Sequence, residues 1–397
     1  MNIPLVKLGD ICEVTLGRTP PRENPAWWGT ETEGIPWVAI GDMGKSRVLT
    51  TTKERVSTSA IEGPFKGRIV PKGTLLLSFK LSIGKVCVLG MDAVHNEAIA
   101  SIVPKRKDVH IPYLLHVLPL VTQTANATHA VKGKTLNKKA LCNLDLPLPP
   151  LAEQERIVAH LERTLGAIDA MEAKFREMAE TAERHFRATL AESFAALSSA
   201  PAAKLGEVCE TTSGGTPLKS HKEYYEGGTI PWLRSGEVCK KDIEAAECFI
   251  TPSGMENSSA KLFPVNTVLV AMYGATAGQV GILRFPATTN QAICGILPST
   301  RFVPEFLYYA LLQQKAALVR RAVGGAQPNI SQEKIREVVL PLPSLAEQER
   351  VVARLERAEG VSRRVVALAQ AGVAQCGVYR RAVLSEAFGG GEGGGDE

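Results

Sequence analysis

The sequence predicts an α+β protein that consists of two tandem copies of a mixed α/β domain, each followed by one long α-helix. Three observations support this prediction. The chain repeats itself at an offset of 192 to 197 residues. Each copy opens with short apolar runs between glycines and prolines, which is typical of strands and turns. Each copy ends in a segment without proline in which apolar residues recur at helical spacing.

The repeat is strongest where each copy passes from its globular part into its helix. Residues 146–162 match residues 340–356 at 14 of 17 positions. Four shorter matches precede this one: Lys7–Glu13 with Lys204–Glu210, Gly17–Pro20 with Gly214–Pro217, Ile35–Trp37 with Ile230–Trp232, and Asn96–Ile99 with Asn290–Ile293. A period this long indicates a duplicated domain and not a solenoid or a propeller.

The first part of each copy has the pattern of a mixed α/β domain. Residues 74–78 and 267–271 are apolar runs that contain β-branched residues and are bounded by Gly and Pro, so we predict strands there. Residues 112–118 and 304–312 open with proline and are predicted to be helices, since proline fits the first turn of a helix.

The second part of each copy predicts a long amphipathic helix. Apolar residues recur at an average step of 3.6 between residues 161 and 197, and residues 152–197 would span about 69 Å as a helix. Gly360, Gly372 and Gly377 interrupt the pattern in the second copy. Two such stripes are best buried against each other or against the helices of a partner. A core helix in a larger bundle is the alternative.

These patterns divide the chain into five segments. The predicted bounds are 1–148 and 201–342 for the globular domains, 149–200 and 343–388 for the helices, and 389–397 for a Gly-rich tail that we expect to be disordered. The net charge of +5 is unevenly distributed, because the globular domains carry +7 and +2 and the helical segments carry −3 and −1. This distribution favours contact between the two domains and a polyanion.

The composition is that of an ordinary globular protein. The eight cysteines are scattered and form no C-x-x-C pair, which is typical of reduced cysteines in the cytoplasm. No apolar run approaches the roughly 18 residues needed to cross a bilayer, and the first residues lack the pattern of a signal peptide. We therefore expect cytoplasmic localisation and no membrane contact.

Motifs for catalysis are missing from the sequence. It contains no G-x-x-x-x-G-K-[ST] phosphate loop, no Asn/Asp-Pro-Pro-Tyr/Phe run and no acidic pair plus lysine with nuclease spacing. His95, His110, His116 and His129 are spaced too irregularly to predict a metal site. We therefore predict neither a catalytic residue nor a bound metal in this chain.

Taken together, these features resemble the specificity (S) subunit of Type I restriction–modification systems, from Lys7 to about Phe388. The most specific features are the duplicated L-P-L-P-x-L-A-E-Q-E-R before each long helix and the duplicated G-x-T-P and I-P-W. Residues 273–278 also resemble the family's Y-G-A-T-x-G element, whereas residues 80–84 of the first copy keep only the last glycine.

The resemblance implies a division of labour within a larger complex. It implies two target-recognition domains that each read one half of a split sequence in double-stranded DNA. It also implies that the two helices pair as an antiparallel coiled coil with pseudo-two-fold symmetry and dock two methyltransferase (M) subunits, through which motor–nuclease (R) subunits join. S-adenosylmethionine, ATP and Mg would belong to those partners, so no cofactor and no enzymatic activity are expected in this chain.

Lys and Arg side chains are expected to supply affinity by contacting phosphates. The candidates are Arg18, Lys45, Arg47, Lys80, Lys85, Lys132, Lys134, Lys138 and Lys139 in the first domain, and Lys219, Lys222, Arg234, Lys240, Lys241, Arg320 and Arg321 in the second. For each of them a solvated surface charge is the alternative. A few side chains are expected to read base edges. These are Arg18, Asp42 and Lys80 in the first domain, and Arg234, Glu237, Tyr273, Thr276 and Gln327 in the second.

Other repeated positions have structural interpretations. The G-x-T-P residues are predicted to form turns, Trp37 and Trp232 to pack in the core, and Asn96 and Asn290 to cap or bond the backbone, with DNA contact as the alternative. The E-Q-E-R at the start of each helix suggests a common partner on both sides, although acidic residues in a first turn also favour the helix dipole. The predicted docking residues are Glu153, Gln154, Arg156, Glu347, Gln348 and Arg350.

Three other functions are compatible with the sequence. One is the specificity subunit of a fused methyltransferase–nuclease of the Type IIB kind. Another is a helical scaffold whose globular domains bind protein and not DNA. The third is an enzyme whose motif is not recognisable, which would show turnover in the isolated chain.

Overall fold

The computed structural model describes residues 3–30, 33–44, 46–131, 136–320 and 329–388, except the side chains of residues 126–131. The chain divides into two compact units, one formed by residues 1–173 with 373–397 and the other by residues 174–372. Each unit contains one globular domain and a part of both long helices. Several predicted positions lie outside the described residues: Lys45, Lys132, Lys134, Arg321, Gln327 and the tail 389–397.

The first globular domain is a mixed α/β domain. Its strands are β1 (Leu5–Lys7), β2 (Cys12–Leu16), β3 (Ile35–Val38), β4 (Val48–Leu49), β5 (Glu54–Val56), β6 (Leu75–Ser78), β7 (Val86–Leu89), β8 (Val94–His95), β9 (Ile99–Pro104) and β10 (Asp145–Pro147). Its helices are α1 (Leu8–Ile11), α2 (Thr58–Glu62), α3 (Ile111–Val131) and α4 (Lys138–Cys142). The strand predicted at residues 74–78 and the helix predicted at residues 112–118 are thus confirmed as β6 and part of α3.

The strands of the first domain form three sheets. Five strands pair in the order β2-β9-β6-β7-β4, three in the order β5-β3-β8, and β1 pairs with β10. The pairs β3–β8 and β4–β7 are parallel, and the others are antiparallel.

Both faces of the five-stranded sheet are covered, which explains the continuous apolar run of residues 75–77 in β6. Leu75 and Leu77 belong to the cluster that contains Leu114 of α3, whereas Leu76 belongs to the cluster that contains Val38 of β3. Successive side chains of a strand point to opposite faces, so a strand buried on both sides needs a continuous apolar run.

The second globular domain repeats this architecture. Its strands are β11 (Ala202–Lys204), β12 (Thr211–Ser213), β13 (Ile230–Leu233), β14 (Asp242–Ile243), β15 (Phe249–Ile250), β16 (Val268–Ala271), β17 (Val280–Leu283), β18 (Thr288–Thr289), β19 (Ile293–Ile296) and β20 (Val339–Pro341). Its helices are α6 (Leu205–Val208), α7 (Pro252–Glu256), α8 (Pro304–Arg320) and α9 (Gln332–Arg336).

The strand orders of the two domains are the same. The second domain has sheets β12-β19-β16-β17-β14, β15-β13-β18 and β11-β20, which reproduce the first domain strand by strand. The predicted strand at residues 267–271 and the predicted helix at residues 304–312 are confirmed as β16 and part of α8. The sequence repeat is therefore a repeat of topology.

Both predicted long helices are present. Helix α5 runs from Leu151 to Ala195 and α10 from Leu345 to Phe388. The three glycines of the second copy do not interrupt α10. A Cβ atom on Gly372 would lie 2.6 Å from the ring of Phe175, so the missing side chain makes room for that ring.

Within the unit of residues 174–372, the two helices run antiparallel. Phe175 of α5 packs at Gly372 of α10, while further along α5 Glu192 forms an ion pair with Arg354 at 3.2 Å. From the first contact to the second, the residue number rises in α5 and falls in α10, so the two helices have opposite directions. This confirms the antiparallel pairing.

Burial along the apolar stripe of α5 is uneven. Leu161 and Leu190 are buried near the two ends of the helix, where the clusters of the globular domains lie, whereas Met171 and Met178 in the middle are 48% and 38% exposed. The stripe of α5 is therefore buried towards its ends and partly exposed in its middle. The two ends of α5 pack into the domain clusters, since Val158 belongs to the cluster of the first domain and Leu190 to that of the second.

Candidate nucleic-acid interface

Four loops of the first domain meet at one edge, which we name the first loop edge: residues 17–20, 39–44, 79–85 and 95–98. Backbone hydrogen bonds join these loops: Arg18 N donates to His95 O (2.7 Å), Asn96 N donates to Val38 O (3.1 Å), and Phe79 N donates to Ala98 O (3.0 Å). The loops therefore form one connected surface.

The second domain has an equivalent surface, the second loop edge: residues 214–217, 234–238, 272–278, 289–292 and 329–330. It is held by corresponding bonds: Gly215 N donates to Thr289 O (2.8 Å), Asn290 N to Leu233 O (2.9 Å), Met272 N to Ala292 O (2.8 Å), and Ile330 N to Met272 O (2.9 Å). Both domains thus use one framework to present their loops.

The repeated glycines of the G-x-T-P turns are needed by this framework. A Cβ atom on Gly17 would lie 1.9 Å from the backbone oxygen of His95, and one on Gly214 would lie 2.1 Å from Thr289 Oγ1. The threonines of the turns bond across to the next loop, because Thr19 donates to Glu97 and Thr216 donates to Gln291. The structure therefore agrees with the interpretation of these residues as turns.

The repeated tryptophans and asparagines are also part of the framework. Trp37 and Trp232 are buried, and their Nε1 atoms donate to Arg18 O (3.0 Å) and Gly215 O (2.9 Å). The side-chain oxygens of Asn96 and Asn290 accept bonds from Ala98 N (3.0 Å) and Ala292 N (3.2 Å). These contacts support core packing for the tryptophans and backbone bonding for the asparagines.

Two acidic residues predicted to read bases are used inside the domains instead. Asp42 is 8% exposed and accepts bonds from Ala39 N (3.0 Å) and Lys53 N (3.4 Å). At the equivalent position of the second domain, Glu237 accepts bonds from two backbone N–H groups, those of residues 234 (2.8 Å) and 247 (2.9 Å). Their carboxylates fix the loop that follows β3 or β13, and this conflicts with a direct contact to bases.

Two basic candidates join their domains to the helices. Arg47 forms an ion pair with Glu162 at 2.9 Å, and Lys241 forms an ion pair with Glu356 at 2.7 Å. The two pairs occupy equivalent positions of the repeat. Lys241 is only 8% exposed, and its Nζ also donates to Tyr309 OH at 3.2 Å, so a phosphate contact by Lys241 conflicts with its burial.

The remaining described candidates differ in their surroundings. Lys85 is half-buried, and its Nζ donates to Ile40 O (3.4 Å) and Met43 O (3.5 Å). Arg234 is exposed but forms an ion pair with Glu247 at 2.8 Å. The other basic candidates are exposed: Arg18, Lys80, Lys138, Lys139, Lys219, Lys222, Lys240 and Arg320.

Only some of the exposed candidates lie on the loop edges. Arg18 and Lys80 share the first loop edge, and Arg234, Tyr273 and Thr276 share the second. Tyr273 is exposed, and Thr276 is half-buried with its Oγ1 donating to Tyr273 O at 3.3 Å. The remaining exposed basic candidates lie outside the loop edges, for example the lysines at the start of α4, a helix that contacts α1 and β2.

The structure adds basic residues that the sequence did not single out. A cavity of about 160 Å³ is lined by Arg18, Lys66, Arg68 and His95, among others. Burial lowers the pKa of His95 to about 4, so this imidazole is neutral near pH 7. The sequence signal was Lys-Gly-Arg at 66–68, but only folding brings this segment beside Arg18.

The two glutamines predicted to dock a partner are buried at the junction of domain and helix. Gln154 accepts a bond from His110 N (2.9 Å) and donates to Asp108 O (2.9 Å) and Pro149 O (2.8 Å). Gln348 repeats this arrangement with three backbone partners: Val303 N (2.9 Å), Arg301 O (2.9 Å) and Pro343 O (3.1 Å). Both side chains are fully buried, so they cannot form an exposed docking surface.

The charged residues around these glutamines are accessible. Arg156 is exposed and forms an ion pair with Glu153 at 2.6 Å, and this hydrogen bond holds the pKa of the Glu153 carboxyl below its usual range. In the second copy, Glu347 and Arg350 are both exposed, and Arg350 Nε donates to Ala346 O at 3.2 Å. These four residues remain candidates for docking.

The described residues contain free thiols but no cluster of metal ligands. Within it, no group of three or more His, Cys, Asp or Glu could hold a metal ion. The eight cysteines are free thiols, and burial raises the pKa of Cys12 and Cys294 to about 12. No helix among the described residues is long and apolar enough to cross a membrane.

Solved structures show the same fold. A chain from the structure titled "Structural basis underlying complex assembly and conformational transition of the type I R-M system" superposes with a TM-score of 0.76 and 20% identity over 97% of both chains. The HsdS subunit from Thermoanaerobacter tengcongensis superposes with a TM-score of 0.58 and 20% identity, over 98% of this chain and 96% of that one. The fold is therefore that of HsdS-like proteins with two tandem domains.

The family assignment rests on the sequence of both copies. Residues 3–178 and 202–361 match the family described as the Type I restriction modification DNA specificity domain. This chain belongs to that family.

Named relatives are similar over different shares of the chain. The EcoBI specificity subunit of Escherichia coli is 23% identical over 397 residues, which is 90% of this chain and 80% of that protein. The EcoR124I/EcoR124II specificity subunit of E. coli is 28% identical over 158 residues, or 38% of this chain, and the MjaIX specificity subunit of Methanocaldococcus jannaschii is 31% identical over 157 residues, also 38%. These last two matches span only 39% and 36% of the relatives' lengths.

Proposed function

We propose that this chain is the DNA-sequence-reading subunit of a Type I restriction–modification complex. Each globular domain reads one half of a bipartite target in double-stranded DNA through its loop edge. The chain itself performs no catalysis. The observation that carries this proposal is that the two domains share one framework but present different side chains on it.

The loop between β6 and β7 illustrates this difference. It presents Lys80 and Leu81 in the first domain, and its equivalent in the second domain presents Tyr273 and Thr276. The residues that hold these loops have the same roles in both copies, as described for Gly17 and its counterpart. A shared framework with different exposed groups suits two domains that bind one kind of ligand and discriminate different base pairs.

Positive charge on both domains supports DNA as that ligand. The first domain has the larger excess, and exposed Arg18 and Lys80 lie on its loop edge. Such residues supply sequence-independent affinity through the phosphates. The base-reading roles of Arg18, Lys80, Arg234, Tyr273 and Thr276 are part of the proposal.

Methylation and cleavage belong to partner subunits in this proposal. The exposed charges at the starts of α5 and α10 dock two methyltransferase subunits, and motor–nuclease subunits join through them. Because the two starts are nearly identical in sequence and repeat the same buried glutamine clamp, they present similar surfaces to two copies of one partner. Those partners hold S-adenosylmethionine, ATP and Mg.

Methylome mapping tests the reading function. The chain is expressed with its methyltransferase in a bacterial host that lacks DNA methylation, and modified bases are mapped by long-read sequencing. We expect a split motif that appears only when this chain is present, with the methyltransferase alone as the control. A complex that forms but modifies no motif would contradict the reading function and favour the scaffold alternative.

A charge swap tests the docking surface. The double substitution Glu153→Arg with Arg156→Glu keeps an internal ion pair but inverts the charges that a partner meets. We expect the affinity for the methyltransferase to fall by at least about tenfold, because like charges then face each other. The same swap in the exposed pair Glu183 and Arg187, in the C-terminal half of α5, is the control. Unchanged binding by the first variant would exclude this surface.

A further inference from the structure

One apolar side chain on the first loop edge has no structural role in the fold. Leu81 is 92% exposed, more than any other large apolar side chain in the described part of the chain. It lies at the tip of the loop between β6 and β7. An exposed leucine is common by itself, so exposure alone decides nothing.

The backbone at this leucine is also unfavourable. Leu81 has a φ of +60°, in the left-handed region that disfavours residues with a Cβ atom. At the equivalent position of the second domain the chain has Gly274, with a φ of +70°. The fold therefore needs the left-handed conformation here, and glycine satisfies it in one copy without steric conflict. Strain of this kind in combination with full exposure points to a function.

Hydrogen bonds close the base of the loop that carries Leu81. Gly84 N donates to Ser78 O (2.9 Å), Lys85 N donates to Ser78 Oγ (3.0 Å), and Ser78 Oγ donates to the carbonyl of Ser82. Because Ser78 is fully buried at the end of β6, these bonds attach the base of the loop to the core. The backbone of the loop that carries Leu81 is thus attached to the core at its base.

The surroundings of Leu81 suit DNA. Lys80 beside it and Arg18 on the same edge are exposed cations, which suit phosphates. An aliphatic side chain cannot bind a phosphate or hydrogen-bond a base. In the major groove the feature that it can discriminate is the C5-methyl group of thymine.

We propose that Leu81 is a specificity-determining residue that contacts the methyl group of a thymine in the half-site read by the first domain. This inference rests on the proposed function, since it names how one loop of that site reads its base pair. The second domain has no such contact at the equivalent position, because Gly274 has no side chain.

Motif mapping of Leu81→Gly gives the first test. Glycine relieves the backbone conflict, so this variant should unfold at the same or a higher temperature than the wild type. We expect the methylated motif to lose its preference for one T·A pair in one half-site, with the other half-site unchanged. Leu5→Ala, at an exposed leucine in β1, is the control and should leave the motif unchanged.

Uracil gives the second test, because it is thymine without the methyl group. The purified complex with its methyltransferase is titrated with oligonucleotides that carry thymine or uracil at that pair. We expect uracil to weaken wild-type binding roughly three- to tenfold, which corresponds to loss of one buried methyl contact. Leu81→Gly should bind both oligonucleotides equally, at about the affinity of the wild type for uracil.

Three results would overturn the inference: a half-site without thymine on either strand, an unchanged motif in Leu81→Gly, or discrimination against uracil that persists in this variant. Each of them leaves the proposed function intact, because a split motif is still read. Failure of the proposed function itself is distinguishable, since then the wild-type complex modifies no motif at all.

Discussion

The two loop edges have the same framework but expose different side chains. At the framework positions the copies carry the same residue or the same role, as with Trp37 and Trp232 or Asn96 and Asn290. At the loop tip they differ, since Leu81 stands where the second copy has Gly274. On the loop edges, the repeated tryptophans and asparagines make internal contacts, whereas the exposed loop tip differs between the copies.

The helix starts follow this pattern only in part. The E-Q-E-R segment looks like a single docking element in the sequence, but its glutamine is a buried clamp and only its charged residues are accessible. Near-identity of the two segments thus has two causes, an internal one for Gln154 and Gln348 and a proposed external one for the residues around them.

The largest expected effect comes from Gly17→Ala, which places a Cβ atom against the backbone of His95. We expect the free energy of unfolding of the first domain to fall by about 3 kcal/mol or more, because the backbone must move. Gly41→Ala is the control, since nothing lies within 4 Å of a Cβ atom there. Urea unfolding measures both variants. Equal midpoints for the two would show that the turn can move freely.

The second effect is a pH dependence of stability that distinguishes the two domains. Burial lowers the pKa of His95 to about 4, whereas the unfolded chain binds this proton near pH 6.5. The folded state therefore binds fewer protons, and stability is lost as the pH falls from about 6.5 to 4, by up to about 3 kcal/mol. His95→Thr introduces the residue that stands at the equivalent position of the second copy, Thr289. We expect this variant to have a flatter profile.

Unfolding free energies of the first domain at pH 7.5, 5.5 and 4.5 measure this difference. Some dependence should remain in the variant, since burial also lowers the pKa of His116 to about 4, with a further contribution from Arg47. If the unfolding free energies of the wild type and of His95→Thr changed equally with pH, protonation of His95 would not destabilise the folded state.

The third effect tests the paired glutamine clamps. Gln154→Ala and Gln348→Ala each leave a buried backbone N–H and two carbonyl groups without their partner. We expect each variant to lose about 2 kcal/mol of unfolding free energy. The loss should be similar in the two variants. Gln370→Ala, at an exposed site on α10, should change the unfolding free energy by less than about 0.5 kcal/mol. A loss of stability in only one of the two glutamine variants would show that the two clamps are not equivalent.

The smallest effect distinguishes the two domain–helix ion pairs. Arg47 and Glu162 are both about half exposed, so Arg47→Met should cost less than about 1 kcal/mol. Lys241→Met removes a buried partner of Tyr309 and Glu356 and should cost about 1 to 2 kcal/mol more. Urea unfolding of both variants measures the difference. Equal losses would indicate that burial of Lys241 adds nothing to this link.

Much of the fold followed from the sequence, because its signals are local or repeated. The apolar run at β6, the helical spacing in α5 and the 14 identities at the helix starts each predict an element from neighbouring residues. The framework residues of the loop edges were also correctly interpreted as packing or turn residues. Repeated glycine is typical of a tight turn, and repeated tryptophan is typical of buried packing.

The candidate site was less predictable. Asp42 and Glu237 carry hydrogen-bonding groups suited to bases but bond their own loops, and Lys241 is a cation buried beside a helix. Leu81, which we propose as a specificity-determining residue, was not among the residues that the sequence singled out, since nothing local distinguishes an exposed leucine from a core leucine. Its only sequence signal was the departure of residues 80–84 from the glycine-containing element of the second copy.

The sequence by itself determined the duplication, the α+β class and the two long helices, because hydrophobic periodicity and repetition are written along the chain. Only the tertiary structure decided which polar groups face outward. Residues far apart in sequence, such as Gln154 and His110 or Lys241 and Glu356, form hydrogen bonds with each other once the chain folds. A buried polar group must find a partner inside the protein, and the fold alone determines which groups remain available for another molecule.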